Sequence, residues 1–514
     1  MPPAKLILDG SSLTLENFAP LLRGEEVVLG LGAKAKAAVR RARAQVERTV
    51  KSGAVVYGLT TGFGRLKSVA IESKDLVELQ RNLVLSHCCG VGDPMPASEV
   101  RAMQVLRLNG LARGHSGVRL STLEHGIRLF NAGFVPIVPQ QGSVGASGDL
   151  APLAHIAAAS MGHGRVWLGG KALGAAAALR KIGELPLELE AKEGLALING
   201  TECMKAIGGL VALRAANLSK VADIAAALTI EALFGSSKPF DPRLADLKGH
   251  AGHRRTSNNV RALLEGSHVL ASHADCTRVQ DPYSLRCVPQ IHGAYKAALA
   301  HTLEVLAGEF NAVTDNPILF PDTDEVVSAG QFHGQPVAMV LDYLGLALCT
   351  LANVSERRIE QLVNPDLSHL PAFLTPRPGL HSGLMIAQVT AAALASENKV
   401  YAHPASVDTV PTSANQEDHV SMGVTAARKA RVICDNVEHV LAIELIAAAQ
   451  GREFNRQLDA GHGVEAAFGA LRERVKPLDR DRYLADDFAA ARELIASGAL
   501  VAAVEQRLGR SLET

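Results

Sequence analysis

Residues 204–233 read MKAIGGLVALRAANLSKVADIAAALTIEAL, an Ala- and Leu-rich run in which small residues dominate. Four further stretches have the same texture, at 293–310, 336–362, 383–400 and 424–450. Small side chains let helices pack closely, and charges such as Glu356 and Glu360 recur at helical spacing. We therefore predict a mainly α protein whose second part is a long up-down helical bundle. Long apolar helices of this kind also tend to bury themselves against copies of the same chain, which favours an oligomer.

The chain before Asn199 has a different texture and is interrupted often by Gly and Pro. It mixes moderate helices at 76–87 and 98–110 with short strand candidates. The strand candidates are KLILDG, AVVYGL and FVPIVP. A chain of 514 residues is longer than a single hydrophobic core usually supports. We predict an N-terminal mixed, mostly helical domain over 1–203 and a long-helix bundle domain over 204–514.

The composition and charge of the chain exclude several classes of protein. Hydrophobic residues make up 47% and charged residues 20%, as in a globular chain rather than a disordered one. Lys plus Arg number 52 and Asp plus Glu number 52, so the charge balance indicates neither a nucleic-acid nor a membrane partner. The N-terminal MPPAKLILDGSSLTLENF has early acids and no long apolar run, and we expect no signal peptide. The long charge-free stretch between Arg377 and Glu397 contains Pro378 and His381, which make it too polar for a lipid-facing span.

The cysteines and histidines of the chain are scattered. The seven cysteines are Cys88, Cys89, Cys203, Cys276, Cys287, Cys349 and Cys434. An odd number without any CxxC pair predicts reduced thiols in a cytoplasmic protein, with neither a disulfide framework nor a zinc site. His155, His292 and His333 show no metal-ligand spacing either, so we expect no bound metal.

The stretch that favours chemistry most is QQGSVGASGDLAPLAHIA, over residues 140–157. It runs from a strand-like segment through a Gly/Ser loop into an Ala-rich helix, and an ordinary helix-capping loop is one interpretation. The other is self-cyclisation, because three glycines and small side chains let the backbone fold onto itself. Attack of the Gly148 amide nitrogen on the Ala146 carbonyl carbon, with loss of two waters including the Ser147 hydroxyl, gives a 4-methylidene-imidazole-5-one ring. Its exocyclic methylene is strongly electrophilic, and the helix N-terminus that follows would stabilise negative charge on it.

Six strings in the chain resemble, in order, the signatures of the histidine, phenylalanine and tyrosine ammonia-lyase family. They are YGLTTGFG, LVLSHCCGVG, GSVGASGDLAPLAH, GLALINGT, QDPYSLRCVPQ and TSANQEDHVSMG. The resemblance covers nearly the whole chain. It implies a carbon–nitrogen lyase acting on an amino acid, in a mostly helical homotetramer whose sites are each assembled from three subunits. It also implies that Ala146-Ser147-Gly148 cyclises without added metal or coenzyme.

The resemblance also implies roles for individual residues. Ammonia leaves poorly and the β-proton is weakly acidic, so elimination requires an electrophile for the amine and a positioned base. Tyr57, on a glycine-rich loop, is implied as the base, although a lone Tyr is usually a core residue. Arg286 is suited to the substrate carboxylate, although an arbitrary Arg is more often in an ion pair. The family pattern further implies Asn199 and Tyr283 as catalytic residues beside the ring, and Gln280 and Phe332 as substrate contacts.

His87 and Glu417 occupy the positions that set side-chain choice in the family. A carboxylate accepts hydrogen bonds from an imidazole, whereas a phenyl ring would leave it uncompensated. The pair therefore predicts L-histidine as substrate and trans-urocanate as product. The alternative is a tyrosine or phenylalanine ammonia-lyase, or an aromatic 2,3-aminomutase with the same ring, because a hydroxyphenyl group could donate to His87. Some residues depart from the pattern of the histidine enzymes, namely Cys88-Cys89, Glu202, Val288 and Gly334-Gln335.

Two other classes of protein share the helical pattern. Helical lyases of the fumarase and aspartase type need a Gly-Ser-Ser loop followed by Met-Pro and Lys-x-Asn. Here Gly235-Ser236-Ser237 is followed by Lys-Pro-Phe, which argues against that class. An inert helical scaffold would contain no ring and would have the full encoded mass.

Overall fold

The computed structural model describes residues 3–62, 64–69, 71–274 and 278–514. Within these ranges the chain is mainly helical, which confirms the predicted fold class. Phe63, from the string YGLTTGFG, and Cys276 lie outside the described residues.

The elements of the described ranges are numbered in chain order. Helices α1 to α9 are Ala19–Leu22, Ala33–Ser52, Leu76–Ser86, Ala97–Ala112, Leu120–Asn131, Leu150–Ser160, Ala175–Lys181, Glu193–Ile198 and Glu202–Ala232. Helices α10 to α21 are Pro242–Lys248, Ala251–Leu263, His268–Ala271, Tyr283–Arg286, Val288–Glu309, Gln335–Val363, Pro365–Ser368, Met385–Tyr401, Gly423–Glu453, His462–Arg472, Ala485–Ala496 and Ala499–Leu508. Strands β1 to β9 are Ala4–Leu8, Val27–Leu31, Val91–Pro94, Val135–Pro136, Pro139–Gln141, Arg165–Leu168, Lys171–Gly174, Ile318–Phe320 and Glu325–Val327.

The five long helices predicted from the sequence are all present, as α9, α14, α15, α17 and α18. In α9 the run Ala225, Ala226 and Ala227 is completely buried, as expected for helices that pack closely through small side chains. Two of the three strand candidates contribute to β1 and to β4 and β5. Between these long helices, the Gly- and Pro-containing segments 235–256 and 279–293 contain the short helices α10 and α13.

The third strand candidate, AVVYGL, was wrong, because these residues end in a turn. The Val56 amide donates to the Thr60 hydroxyl at 2.9 Å, and that hydroxyl donates to the Ala54 carbonyl at 2.8 Å. Gly58 adopts φ +73°, which interrupts an extended strand. The apolar residues of this string therefore belong to a compact turn that contains Tyr57.

The chain divides into two compact units, each made from three segments. Unit 1 comprises Met1–Leu210, Leu303–Asp342 and Pro404–Arg428, and unit 2 comprises Val211–Thr302, Tyr343–His403 and Lys429–Thr514. The domain division between 203 and 204 stays a prediction. Two later segments of the chain belong to the same unit as the Gly/Ser loop.

Unit 1 combines short sheets with helices around buried apolar clusters. Strands β1 and β2 pair in parallel, and β4, β6 and β7 form an antiparallel sheet. One cluster beside that sheet joins Phe134, Val166 and Leu179 to Ala159 of α6. Since α6 begins two residues after Gly148, its buried face determines where the Gly/Ser loop ends.

Unit 2 consists mainly of long helices whose interior holds paired charges as well as aliphatic side chains. Arg358 on α15 donates to Glu444 on α18 at 2.5 Å, and both side chains are completely buried. Asp223 on α9 bonds His292 on α14 at 2.7 Å. Each of these buried charges has a partner, as the cost of desolvation requires.

One helix among the described residues, α15, meets the length and hydropathy of a membrane span. In its most apolar window, 67% is buried inside the protein. A core helix passes the same test, and the paired Arg358 on α15 is of the kind found in a protein core.

Candidate active site

Two glycines of the Gly/Ser loop between β5 and α6 combine a left-handed backbone with a very close approach of another segment. Gly145 and Gly148 adopt φ +68° and +73°, in the left-handed region. A Cβ added to Gly148 would lie 2.1 Å from the Gly200 carbonyl oxygen, and one added to Gly145 would lie 2.2 Å from the Ser421 hydroxyl. The loop is therefore compressed between two other segments of unit 1.

The segment between α8 and α9 lies directly against the loop. Asn199 donates from Nδ2 to the Ser147 carbonyl oxygen at 2.7 Å, and the Asp149 amide donates to the Gly200 carbonyl at 2.6 Å. Gly148 and Gly200 form a parallel bridge. Asn199 Oδ1 is buried and has no hydrogen-bond partner in the described part of the chain. That orphaned acceptor is available to a group bound in the site.

Asp149 follows the Ala-Ser-Gly tripeptide and is completely buried. Its carboxylate accepts hydrogen bonds from the Met204 amide at 2.9 Å and from the Ser143 hydroxyl at 3.1 Å. Burial raises the pKa of this carboxyl to about 7, with the hydrogen bonds opposing the rise and the Glu202 charge adding to it. Asp149 therefore joins the loop to the start of α9.

A cavity of about 830 Å³ opens beside the loop. Seven of the residues predicted from the sequence line it, namely Tyr57, His87, Ala146, Ser147, Asn199, Phe332 and Glu417. They come from three separate segments of unit 1, and the fold brings them together. Gly148 is buried behind them.

Besides Gly148, three predicted residues are not among those that line the cavity: Gln280, Tyr283 and Arg286. They lie together in unit 2, at and just before α13. Gln280 is exposed, Tyr283 is 70% exposed, and the Arg286 guanidinium stacks on the Tyr283 ring with 4.6 Å between its carbon and the ring centroid. Arg286 Nε is buried and has no partner among the described residues.

Tyr57 is half-buried on a turn, and its side chain lines the cavity. Burial raises the pKa of its phenol, a hydrogen bond with the Gly64 backbone opposes the rise, and the Glu417 charge adds to it. Lys67 and Gln416 also line the cavity, and the Lys67 ammonium donates a hydrogen bond to the Gln416 side-chain oxygen at 2.6 Å. In this arrangement Tyr57 is a neutral phenol at pH 7.

His87 and Glu417 present acceptor atoms to the same cavity. His87 Nδ1 lies 2.7 Å from the Leu83 carbonyl oxygen, which can only accept, so Nδ1 carries the hydrogen and Nε2 of the neutral ring is an acceptor. Glu417 accepts from the Ser147 hydroxyl at 2.7 Å and from the Thr412 hydroxyl at 2.6 Å. The cavity thus holds a carboxylate and an imidazole nitrogen suited to bind N–H or O–H donors.

Sequence reasoning missed the residues that support the site from behind. Arg107 on α4 donates to the Asn199 carbonyl oxygen at 2.5 Å and to Glu202 at 3.1 Å. A charge in the middle of the apolar run of α4 was the signal available for Arg107, and Glu202 was noted only as a departure from the family pattern. Among the described residues, no group of three or more His, Cys, Asp or Glu could hold a metal ion.

The match to known proteins extends over almost the whole chain. A family model described as aromatic amino acid lyase matches residues 13–473. The chain belongs to this family, and it is a carbon–nitrogen lyase, which confirms the resemblance and the class of enzyme predicted from the sequence.

Individual relatives sharpen the comparison. A histidine ammonia-lyase of Symbiobacterium thermophilum is 54% identical over 97% of this chain and 98% of its own. Among solved structures, histidine ammonia-lyase from Trypanosoma cruzi has a TM-score of 0.92 and 42% identity, covering 98% of this chain and 95% of that one. Tyrosine aminomutase from Streptomyces globisporus has a TM-score of 0.93 and 36% identity, covering 99% and 100%.

Proposed function

We propose that the chain eliminates ammonia from L-histidine to give trans-urocanate, with an electrophile made from Ala146, Ser147 and Gly148. The observation that carries this proposal is the Glu417 carboxylate, which lies 2.7 Å from the Ser147 hydroxyl in the cavity that also contains His87. Two relatives named histidine ammonia-lyase support it, because they are 54% and 49% identical over 97% and 98% of this chain.

The residues present fit a 4-methylidene-imidazole-5-one ring at 146–148. Gly148 has no Cβ where one would clash with Gly200, and Asn199 offers a donor to the Ser147 carbonyl and an unused buried acceptor. When formed, the ring supplies an electrophilic methylene that captures the amine of the substrate. The N-terminus of α6, beginning at Leu150, stabilises negative charge at this place.

Ring formation also explains how Glu417 becomes available to a substrate. Closure removes the Ser147 hydroxyl, which is the donor to Glu417 Oε1. That carboxylate oxygen is then free to accept a hydrogen bond from an imidazole N–H, while Thr412 continues to hold Oε2. Because the pair is charge-assisted and partly shielded from solvent, it favours histidine over an apolar ring.

The β-proton and the carboxylate of the substrate need two further groups. We assign the proton to Tyr57, which lines the cavity and whose raised pKa makes the phenolate a strong base once formed. We assign the carboxylate to Arg286, with Tyr283 and Gln280 beside it. Since these three do not line the cavity, we propose that neighbouring subunits of a homotetramer supply them.

None of the described cysteines forms a disulfide bond, which supports the proposal of a cytoplasmic enzyme. A second candidate function is a tyrosine or phenylalanine lyase, or an aromatic 2,3-aminomutase. His87 Nε2 favours it, because that nitrogen is an acceptor that a phenol O–H would suit. The likeness to tyrosine aminomutase favours it as well.

The experiment that separates these functions offers the purified protein histidine, tyrosine and phenylalanine in separate reactions. We expect the ultraviolet spectrum of urocanate from histidine, with far slower reactions on the other two. Chromatography of the amino acids would detect a β-amino acid product. Faster turnover of tyrosine, or a β-amino acid product, would overturn the proposal. Intact mass provides the second measurement, and we expect a deficit of two waters.

A further inference from the structure

A buried cluster of charges lies behind the Asn199–Gly200 segment, on the side away from the Gly/Ser loop. Its members are Arg107, Glu202, Lys205 and Thr314. The side chains of Arg107, Glu202 and Lys205 are 4%, 0% and 1% exposed. The reaction proposed above uses none of them, and desolvating three charges is costly, so their positions require a physical reason.

The hydrogen bonds of Arg107 and Thr314 end on Glu202 or on the backbone in front of it, whereas Lys205 donates both to Glu202 and to the Glu309 carbonyl oxygen, at 3.1 Å. Glu202 Oε1 accepts from Arg107 at 3.1 Å, from Thr314 at 2.9 Å and from Lys205 at 3.2 Å. Arg107 uses its other terminal nitrogen, Nη1, for the Asn199 carbonyl at 2.5 Å. The planar guanidinium thus connects the first residue of α9 to the peptide that contacts the loop, with a geometry that a lysine does not reproduce.

The cluster also limits the movement of Gly200. A Cβ on Gly200 would lie 2.3 Å from Glu202, 2.6 Å from Thr314 and 3.0 Å from Arg107. In front, the Gly200 carbonyl accepts from the Asp149 amide at 2.6 Å and lies where a Gly148 Cβ would be. The Asn199–Gly200 segment therefore lies between a rigid charged cluster and the tripeptide of the Gly/Ser loop.

We infer that Arg107, held by Glu202, is a positioning residue for closure of the ring at Ala146-Ser147-Gly148. Through the Asn199 carbonyl it keeps the Asn199–Gly200 segment pressed against the loop, so that the Gly148 nitrogen stays within reach of the Ala146 carbonyl carbon. Arg107 does not line the substrate cavity. The inference deepens the proposed function and rests on it.

Ring closure balances within the chain itself. One bond forms, between the Gly148 nitrogen and the Ala146 carbonyl carbon. The Ala146 oxygen leaves as water with the amide hydrogens of Ser147 and Gly148, and the Ser147 N–C bond to Ala146 becomes double. The Ser147 hydroxyl leaves as a second water with its own hydrogen and the Cα hydrogen. No oxidant is needed, so the demand on the protein is geometric.

The test measures ring formation in the full-length chain made by cell-free synthesis, by intact mass over time. For Arg107→Lys we expect closure to be slower on the order of 10- to 100-fold, the range for misplacement by a distant substitution. Activity should fall in proportion to the remaining ring, with KM for histidine unchanged. A matched control is Arg358→Lys, which weakens an equally buried Arg–Glu pair in unit 2. We expect that control to lower Tm to a similar extent while its ring closes at the wild-type rate.

Thr314→Val is a milder variant in case Arg107→Lys does not fold, because it removes one hydrogen bond to Glu202 and keeps the shape of the side chain. We expect slower closure there too, by a smaller factor. Closure at the wild-type rate in folded Arg107→Lys, or in Thr314→Val if only that variant folds, would overturn the inference alone. Wild-type protein of full encoded mass would overturn the proposed function, and the inference with it.

Discussion

The hydroxyl of Ser147 donates a hydrogen bond to the Glu417 carboxylate at 2.7 Å, although the two residues are 270 positions apart in the chain. The contact joins the atom that ring closure must remove to the group that we assign to the substrate imidazole. In the proposed function, the contact therefore links formation of the ring to recognition of the substrate side chain.

Glu417→Gln tests that assignment directly. The amide keeps the size of the side chain and loses the charge, and hydrogen bonds to charged groups contribute about 1.5–3 kcal/mol. We expect kcat/KM for histidine to fall on the order of 10- to 100-fold or more. The two-water mass deficit should persist, which separates this variant from one that fails to form the ring. Unchanged kinetics on histidine would contradict the role of Glu417.

Gly148→Ala tests whether the compressed backbone is required. The new Cβ would lie 2.1 Å from the Gly200 carbonyl at a residue with φ +73°, so we expect no ring and no activity. Gly164→Ala is the matched control, because Gly164 has φ +76° and nothing within 4 Å of the added carbon. Only the left-handed backbone cost of about 1–2 kcal/mol applies there. A two-water deficit in Gly148→Ala would show that the site tolerates a side chain.

Tyr57→Phe tests the base. The ring and its packing should remain, while kcat falls by about 10²–10⁴-fold, the usual contribution of general base catalysis. Since burial and Glu417 raise the pKa of Tyr57, the phenolate fraction grows with pH up to and beyond the ordinary value of about 10. Wild-type kcat should therefore climb through the alkaline range. The Tyr57→Phe variant serves as the control. An equal rise of kcat with pH in both proteins would assign the titration to another group.

The raised pKa of Asp149 leads us to expect that the stability of the fold depends on pH. Its pKa is about 7 in the folded chain, against about 3.9 in an unfolded one. Between these values the folded state binds more protons, so the free energy of unfolding decreases as pH rises from about 4 to about 7 and then levels off. Urea unfolding at pH 5 and pH 8 checks this, with Asp149→Asn as the control that lacks the titration. Identical pH dependence in the two proteins would refute it.

A mixing experiment tests whether neighbouring subunits supply Arg286. Tyr57→Phe and Arg286→Gln should each be nearly inactive alone. If each site combines residues of different subunits, then co-expression of the two variants creates some sites with both native residues. We expect a measurable fraction of wild-type activity from the mixture. Activity no greater than the sum of the separate variants would place Tyr57 and Arg286 in the same subunit of each site.

Most of the helical architecture could be predicted, because helical periodicity is a property of neighbouring residues. Helix α9 was expected at 204–233 and lies at Glu202–Ala232. The strand expected at AVVYGL was wrong, because the apolar pattern of this string does not reveal the hydrogen bonds of the Thr60 side chain. Those bonds fold the segment into a turn. A local sequence pattern predicts secondary structure well where backbone groups hydrogen-bond to one another. It predicts poorly where a side chain takes the place of a backbone partner.

The site was predicted unevenly. Seven of its residues were named from motifs and line one cavity, while Gln280, Tyr283 and Arg286 do not line it. The sequence marked Arg107 only as a charge within an apolar helix, because its contact with the Asn199 carbonyl, at 2.5 Å, spans 92 positions of the chain.

The sequence by itself determined the helices and motivated the proposal that Ala146-Ser147-Gly148 cyclises, since both depend on atoms a few residues apart. Only the tertiary structure decided that Glu417 faces Ser147, that Gly200 presses on Gly148 and that Arg107 supports that pressure. These relationships depend on how distant segments pack, and packing is set by the shapes and charges of all the side chains around them.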